Sequence, residues 1–192
     1  MPSEPSQLDI RDPAGLRILR YPAEVLRKRA EPVAAIDDDI RGLVDRMIEL
    51  MREAQGIGLA APQVGVPLRI FICHVPESDH WSTSDDPPTA SGSLQVHINP
   101  VISNPVGFPE PFEEGCLSLP DLTGEVMRPP TVTLRSMDLQ GNERSQTGAG
   151  MLARCWQHEF DHLEGVLIID KFTPMSRLKN RAALKAFERR AR

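Results

Sequence analysis

No apolar run in this chain approaches the ~20 residues that a membrane-spanning helix needs. Its first residues include Glu4, Asp9 and Asp12, and they offer neither the apolar stretch of a secretory signal nor the acid-poor composition of a transit peptide. Cysteine is scarce. Cys73, Cys116 and Cys155 are an odd number with no CxxC pair among them, which argues against a disulfide framework and for a reducing, cytoplasmic home. Internal repeats and a domain linker are missing as well. Each thiol is therefore either a small buried hydrophobe or a chemical group.

What is present suits a water-soluble globular chain. The 192 residues, 40% hydrophobic and 26% charged, fit one domain with a sizeable core. Eighteen prolines spread along the chain argue against a plain helix bundle and for short elements joined by turns. Charge is uneven. Within residues 177–192 seven Lys or Arg accompany one acid, Glu188, although the whole chain has a net charge of −5. A basic end on an acidic body can guide a protein to an anionic partner such as RNA; a solvated helix face is the plainer reading.

Residues 1–15 are expected to be an extended N-terminal segment. Leu16 to Leu19 alternates apolar and basic residues and predicts a short strand, and Pro22 opens a brief helix to about Arg29. Asp37 to Asp39 precede an amphipathic helix to about Ala54, with Ile40, Leu43, Val44, Met47, Ile48 and Met51 as its stripe. Leu68 to Val75 predicts a strand, residues 76–93 an exposed insertion, and Val96 to Ile102 a strand broken by Pro100. Thr131–Met137 and Glu143–Thr147 predict a hairpin about Gln140–Gly141–Asn142. A helix is expected from about Met151 to Leu163, ended by Gly165, then a strand from Val166 to Ile169. Residues 177–192 predict a basic C-terminal helix with Leu178, Ala182, Ala183, Ala186 and Phe187 on one side. Strands scattered among few helices indicate an α+β fold with antiparallel sheets.

The chemistry concentrates at His158–Glu159–Phe160–Asp161–His162, an H-E-x-x-H sequence in the predicted helix. Residues four apart share a face, so both imidazoles can meet one ion, and Glu159 can handle the proton of a water beside it. Met151 and Cys155 continue the same stripe. A catalytic metal needs a third ligand. The metzincin position six residues past His162 is Ile168, and the acids downstream of the helix are Asp170 and Glu188. Cys116, in the glycine- and proline-bounded run Glu113 to Pro120, is the better candidate, because a thiolate is a soft, strong ligand. Its bland reading is a buried small residue.

Three segments together, Gly56 to Gln63 (GIGLAAPQ), Glu114 to Ser118 (EGCLS) and Gln157 to His162 (QHEFDH), closely resemble the marker motifs of the peptide deformylases, and the resemblance spans roughly residues 16–170. It implies a single catalytic domain in which antiparallel sheets pack around a central helix carrying H-E-x-x-H, plus a C-terminal helix. The implied activity is hydrolysis of the formyl group from N-formylmethionine at the start of newly made polypeptides, releasing formate. By resemblance Cys116, His158 and His162 hold one divalent metal ion, natively Fe(II), with Zn, Ni or Co taken up in prepared samples. Glu159 is the implied acid–base group, and the Gln63 amide and Leu117 N–H stabilise charge on the formyl oxygen. Substrate backbone would pair near Ile57 and Gly115, Gly58 would leave room for the formyl end, and Phe112, Met151 and Cys155 would line the methionine slot. The implied partners are formylmethionyl nascent chains and, through the basic tail, the ribosome; a monomer with no membrane contact is expected. Arg154 stands where an apolar residue is more usual in the family, and Arg128 with Asp161 either supports the ligands or forms a surface salt bridge. Two other readings stay open on the residues alone: an H-E-x-x-H metallopeptidase with a structural Cys116, and a ribosome-associated binding module.

Overall fold

In the computed structural model, residues 10–78 and 84–190 are described, Arg190 by its backbone alone. Residues 1–9, 79–83 and 191–192 lie outside them, so the expectations for the N-terminal segment, the insertion and the tail fall partly beyond the described residues; within the first, Pro13–Gly15 form a 3₁₀ turn and not extended chain. The order of elements is helix α1 (Asp38–Glu53), strands β1 (Gly58–Ala60), β2 (Ile70–Cys73), β3 (Gln95–Val106), β4 (Glu110–Cys116), β5 (Leu119–Arg128), β6 (Thr131–Met137) and β7 (Glu143–Ala149), then helices α2 (Gly150–Leu163), α3 (Ile168–Lys171) and α4 (Pro174–Arg190). Five strands form one antiparallel sheet in the order β1-β2-β3-β6-β7, while β4 and β5 pair as a separate antiparallel hairpin. The α+β class with antiparallel sheets is borne out.

Strand β2 explains how helices α1 and α2 sandwich the larger sheet. Side chains of a strand alternate between faces. Ile70 and Ile72 enter a core with Leu43, Val44 and Met47 of α1, whereas Phe71 and Cys73 enter a second core with Leu152 and Trp156 of α2. Both faces are apolar because both are covered. Helix α1 starts where the Asp37 carboxylate accepts the Ile40 N–H at 3.0 Å, a cap worth about 1 kcal/mol. Its stripe includes Leu50, buried, as well as the expected Ile48, which packs half-buried against the same core.

Several expectations are corrected. Leu16 to Leu19 is no strand; it is an extended segment whose Leu19 N–H reaches the Gln63 carbonyl at 2.8 Å, and the Tyr21 N–H just beyond it reaches the Ser118 carbonyl at 2.9 Å. Strand β3 runs through Pro100 because the register shifts between Ile98 and Val101, and Asn99, at φ 50°, turns its side chain to the Val33 backbone. A bulge is where a ladder tolerates a residue with no N–H. Val166 to Ile169 does not extend: Asp170 accepts the Leu167 N–H at 2.9 Å and starts the helical turn α3 instead. The insertion is more than an exposed excursion, since Thr89 is buried and its carbonyl receives the Leu152 N–H of the first turn of α2 at 3.0 Å. On α4 the inward side chains are Thr173-proximal Ser176, Asn180, Leu184 and Phe187, whereas Leu178, Ala182 and Ala183 are exposed. Apolar spacing alone does not fix which face of this helix turns inward; the hydrogen bonds of Ser176 and Asn180 to β5 set its rotation.

Candidate metal centre

Strand β4 and helix α2 face each other across a cleft of about 650 Å³. The hairpin brings Cys116 to the end of β4, half-buried. Helix α2 runs from Gly150, at φ 51°, to Gly165, whose φ of 71° ends it where an added β-carbon would collide with the Arg27 carbonyl. His158 and His162 lie one turn apart on α2, ring centroids 5.0 Å apart. One ligand atom from each of Cys116, His158 and His162 falls within 4.8 Å of the others, and Cys116 Sγ is 3.4 Å from His162 Nε2.

The donor atoms are oriented by neighbours. His158 Nδ1 lies 3.0 Å from Glu114 Oε2, which leaves Nε2 for a ligand role. Glu114 is buried and takes Arg128 through both oxygens, Nε to Oε1 at 2.7 Å and Nη2 to Oε2 at 3.0 Å, and Arg154 Nη1 at 2.7 Å. Burial works against its charge, but the bonds from His158 and Arg128 outweigh it and hold the carboxyl well below the ordinary range. Arg128 also reaches Asp161 at 2.8 Å, so these two are no isolated surface pair.

Gln63 sits in the 3₁₀ turn Ala61–Val64 after β1, almost wholly buried. Its Oε1 accepts the Ala60 N–H at 2.9 Å, so its NH₂ group points outward, 3.2 Å from Ser118 Oγ and 3.5 Å from Cys116 Sγ. Glu159 is buried with Oε2 unpaired among the described residues, and burial pushes its carboxyl up to about 8. Burial, with His158 beside it, holds His162 well below the usual imidazole range; at His158 burial works the same way, but the bonds to Cys116 and Glu114 outweigh it and hold that ring well above the range, so a metal there displaces a proton. Gly58 packs so closely on Glu159 that a β-carbon there would overlap the carboxylate. The same cleft is lined by Ile57, Gly58, Phe112, Gly115, Met151 and Cys155. Cys155 donates to the Ile57 carbonyl at 3.6 Å, and its neighbour Cys73 together with burial push its thiol up, which suits a pocket wall and not a ligand.

Sequence reasoning assigned no part to Glu114, Ser118 or the Ala60 N–H. Glu114 was detectable in principle: it stands two residues before Cys116, and residues i and i+2 of a strand share a face. That signal needs β4 to be recognised as a strand, which its Glu, Pro and Gly content conceals.

One thiol and two imidazoles that could hold a metal ion, with a buried carboxyl and an amide beside them, are the parts of a metal-dependent hydrolase. Residues 16–178 match the family model described as polypeptide deformylase. A peptide deformylase of Chromohalobacter salexigens is 44% identical over 180 residues, covering 93% of this chain and 96% of the relative. One from Maricaulis maris is 42% identical over 168 residues, covering 88% and 89%. The crystal structure of peptide deformylase from Ehrlichia chaffeensis superposes with a TM-score of 0.81 at 36% identity, covering 91% of this chain and 97% of that one. The chain belongs to the polypeptide deformylase family.

Proposed function

We infer that this protein is a peptide deformylase, a hydrolase that removes the formyl group from N-formylmethionine at the start of new polypeptides and releases formate. The observation that carries this is the convergence of Cys116, His158 and His162 within 4.8 Å beside Glu159 and Gln63, in a chain of this family. The metallopeptidase and binding-module readings have no comparable support.

The donor set fits a divalent transition metal: its ligand atoms lie within 4.8 Å of one another, and Glu114 turns His158 to face the other two. When bound, such a cation supplies Lewis acidity, which acidifies water and polarises the formyl carbonyl. Fe(II) is the native ion in this reading, with Zn, Ni and Co as substitutes. Glu159 takes the proton of the attacking water and returns it to the departing amine, a task for a carboxyl that burial holds near neutrality. The Gln63 NH₂ group, aimed by the Ala60 N–H, and the Leu117 N–H donate to the formyl oxygen as charge grows on it. Ile57 and Gly115 pair with the substrate backbone from the two sides of the cleft, and Gly58 leaves space for the formyl end. Phe112, Met151 and Cys155 surround the methionine side chain.

The whole chain acts as one catalytic domain in the cytoplasm. No helix among the described residues is long and apolar enough to cross a membrane. A monomer suffices, because every proposed ligand comes from one chain. Helix α4 presents Arg177, Lys179, Arg181, Lys185 and Arg189 to solvent, a surface suited to ribosomal RNA. The test is formate release from formyl-Met-Ala-Ser by anaerobically prepared, metal-analysed protein, with Glu159→Ala as control. Equal rates in the two proteins would remove the proposed chemistry.

A further inference from the structure

The two walls of the side-chain slot come from elements that share no backbone ladder. Phe112 stands on β4, in the two-stranded hairpin, while Met151 and Cys155 stand on α2, which packs on the five-stranded sheet. The width of the slot therefore depends on side chains that tie α2 to the hairpin. Arg128 to Asp161 and His158 to Glu114 are two such ties. Arg154 is a third, and it does more than either.

Arg154 leaves α2 one residue before Cys155 and is 8% exposed. Its Nη1 donates to Glu114 Oε1 at 2.7 Å and to the Val126 carbonyl at 3.1 Å, and its Nη2 donates to the Glu110 carbonyl at 2.8 Å. The guanidinium carbon lies 5.3 Å from the centroid of the Phe112 ring. Glu110, Phe112 and Glu114 are alternate residues of β4 and so share one face of the strand. A single planar fork thus engages the Glu110 carbonyl, the Phe112 ring and the Glu114 carboxylate of the strand that ends at Cys116, and a carbonyl of its partner β5. Phe112 is 40% exposed at the slot mouth, and this cation lies over its ring.

We propose that Arg154 is a positioning residue that sets substrate specificity: by bridging α2 to the hairpin and stacking on Phe112 it fixes the width of the side-chain slot, and so selects an unbranched N-terminal side chain over a bulkier one. The proposal rests on the deformylase reading. Lysine cannot replace arginine in this role, since an ammonium has neither the fork for two carbonyls and a carboxylate nor the flat face for the ring. Leucine removes the bridge altogether, yet Glu114 keeps Arg128 and His158.

The test compares kcat/KM for formyl-Met-Ala-Ser and formyl-Phe-Ala-Ser in the wild type, Arg154→Leu, Arg154→Lys, Phe112→Ala and the Phe112→Ala/Arg154→Leu double variant, each with its native metal. In the wild type methionine is preferred. In Arg154→Leu the methionine-to-phenylalanine ratio falls about tenfold, the scale on which apolar slots discriminate, and the change appears mainly in KM. In the Phe112→Ala background Arg154→Leu shifts the ratio no further, because the two act as one unit. A ratio unchanged by Arg154→Leu, with both substrates slowed equally, would reduce Arg154 to a structural support and overturn the proposal, as would full additivity in the double variant. Should Arg154→Leu fail to fold, Arg154→Lys decides the matter: a wild-type ratio in it refutes the proposal. Wild-type protein that releases no formate from either peptide would instead sink the deformylase reading, a distinct result.

Discussion

His158 Nδ1 and Glu114 Oε2 lie 3.0 Å apart, and the same Glu114 is held by both Arg128 and Arg154. A carboxylate fixed from behind by two guanidinium groups cannot turn away from the imidazole, so the ring's other nitrogen stays aimed at Cys116 and His162.

Glu114→Gln should therefore weaken metal retention about 10–100-fold, measured by competition with a chelator. Glu114→Ala should do the same and also destabilise the protein by about 3–5 kcal/mol, because the buried Arg154 guanidinium loses its carboxylate partner and Arg128 keeps Asp161 alone. Unchanged metal affinity in both variants would leave Glu114 with no part in ligand orientation.

Glu159→Ala should lower formate release by roughly 10²–10⁴-fold while the metal stoichiometry stays that of the wild type, since the carboxyl moves a proton and is no ligand in this reading. Loss of the metal together with activity would make Glu159 a ligand or a structural group.

The buried Glu159 carboxyl has a signature in the metal-free protein. Its pKa in the fold is about 8, above the ordinary 4.5, so the folded chain keeps a proton that the unfolded chain releases. Stability is then full below pH 4.5 and falls as pH rises towards 8. Glu159→Gln removes this loss, and its Tm should exceed that of the wild type by on the order of 10 °C at pH 8, and by almost nothing at pH 4. Parallel Tm curves for the two proteins would contradict a buried, protonated Glu159. Glu114 works with the opposite sign: its lowered pKa adds stability above the ordinary carboxylate range that is lost as acid protonates it.

Gly58→Ala should cripple turnover. A β-carbon there overlaps the Glu159 carboxylate and comes within 3.0 Å of Cys155 Sγ, so the acid–base group must move. Displacements of this size cost about 10²-fold in rate. A fully active Gly58→Ala enzyme would show that Glu159 has freedom this packing denies.

Truncation after Met175 should leave activity on short peptides nearly intact at 25 °C but lower Tm. It removes the bonds of Ser176 and Asn180 to β5 and exposes the surface that Leu184 and Phe187 cover. About 2–3 kcal/mol of apolar burial is lost, on the order of 5–10 °C in Tm. An unchanged Tm would make α4 a free appendage, and salt-sensitive ribosome binding lost with it would give it a docking role.

Much of this protein is written locally. The 3.6-residue period and the caps at Asp37 and Gly165 locate α1 and α2, and i, i+4 spacing puts His158 and His162 on one face, because both are consequences of backbone geometry over a few residues. The GIGLAAPQ, EGCLS and QHEFDH runs carry the family and its donor types by themselves. The hairpin β4–β5 escaped notice, since strands of Glu, Pro, Gly and Asp earn their pairing from a partner and not from propensity. Val166 to Ile169 was misread because an apolar run of four suits a buried strand or a buried turn equally, and only Asp170 capping Leu167 selects the turn. Contacts between distant segments belong to the tertiary structure alone: Glu114 beneath His158, Gly58 against Glu159, and Arg154 across to Phe112. Which residues can bind a metal is a property of side-chain chemistry and is legible in order; how their atoms are held to one point depends on long-range packing, which no local pattern encodes.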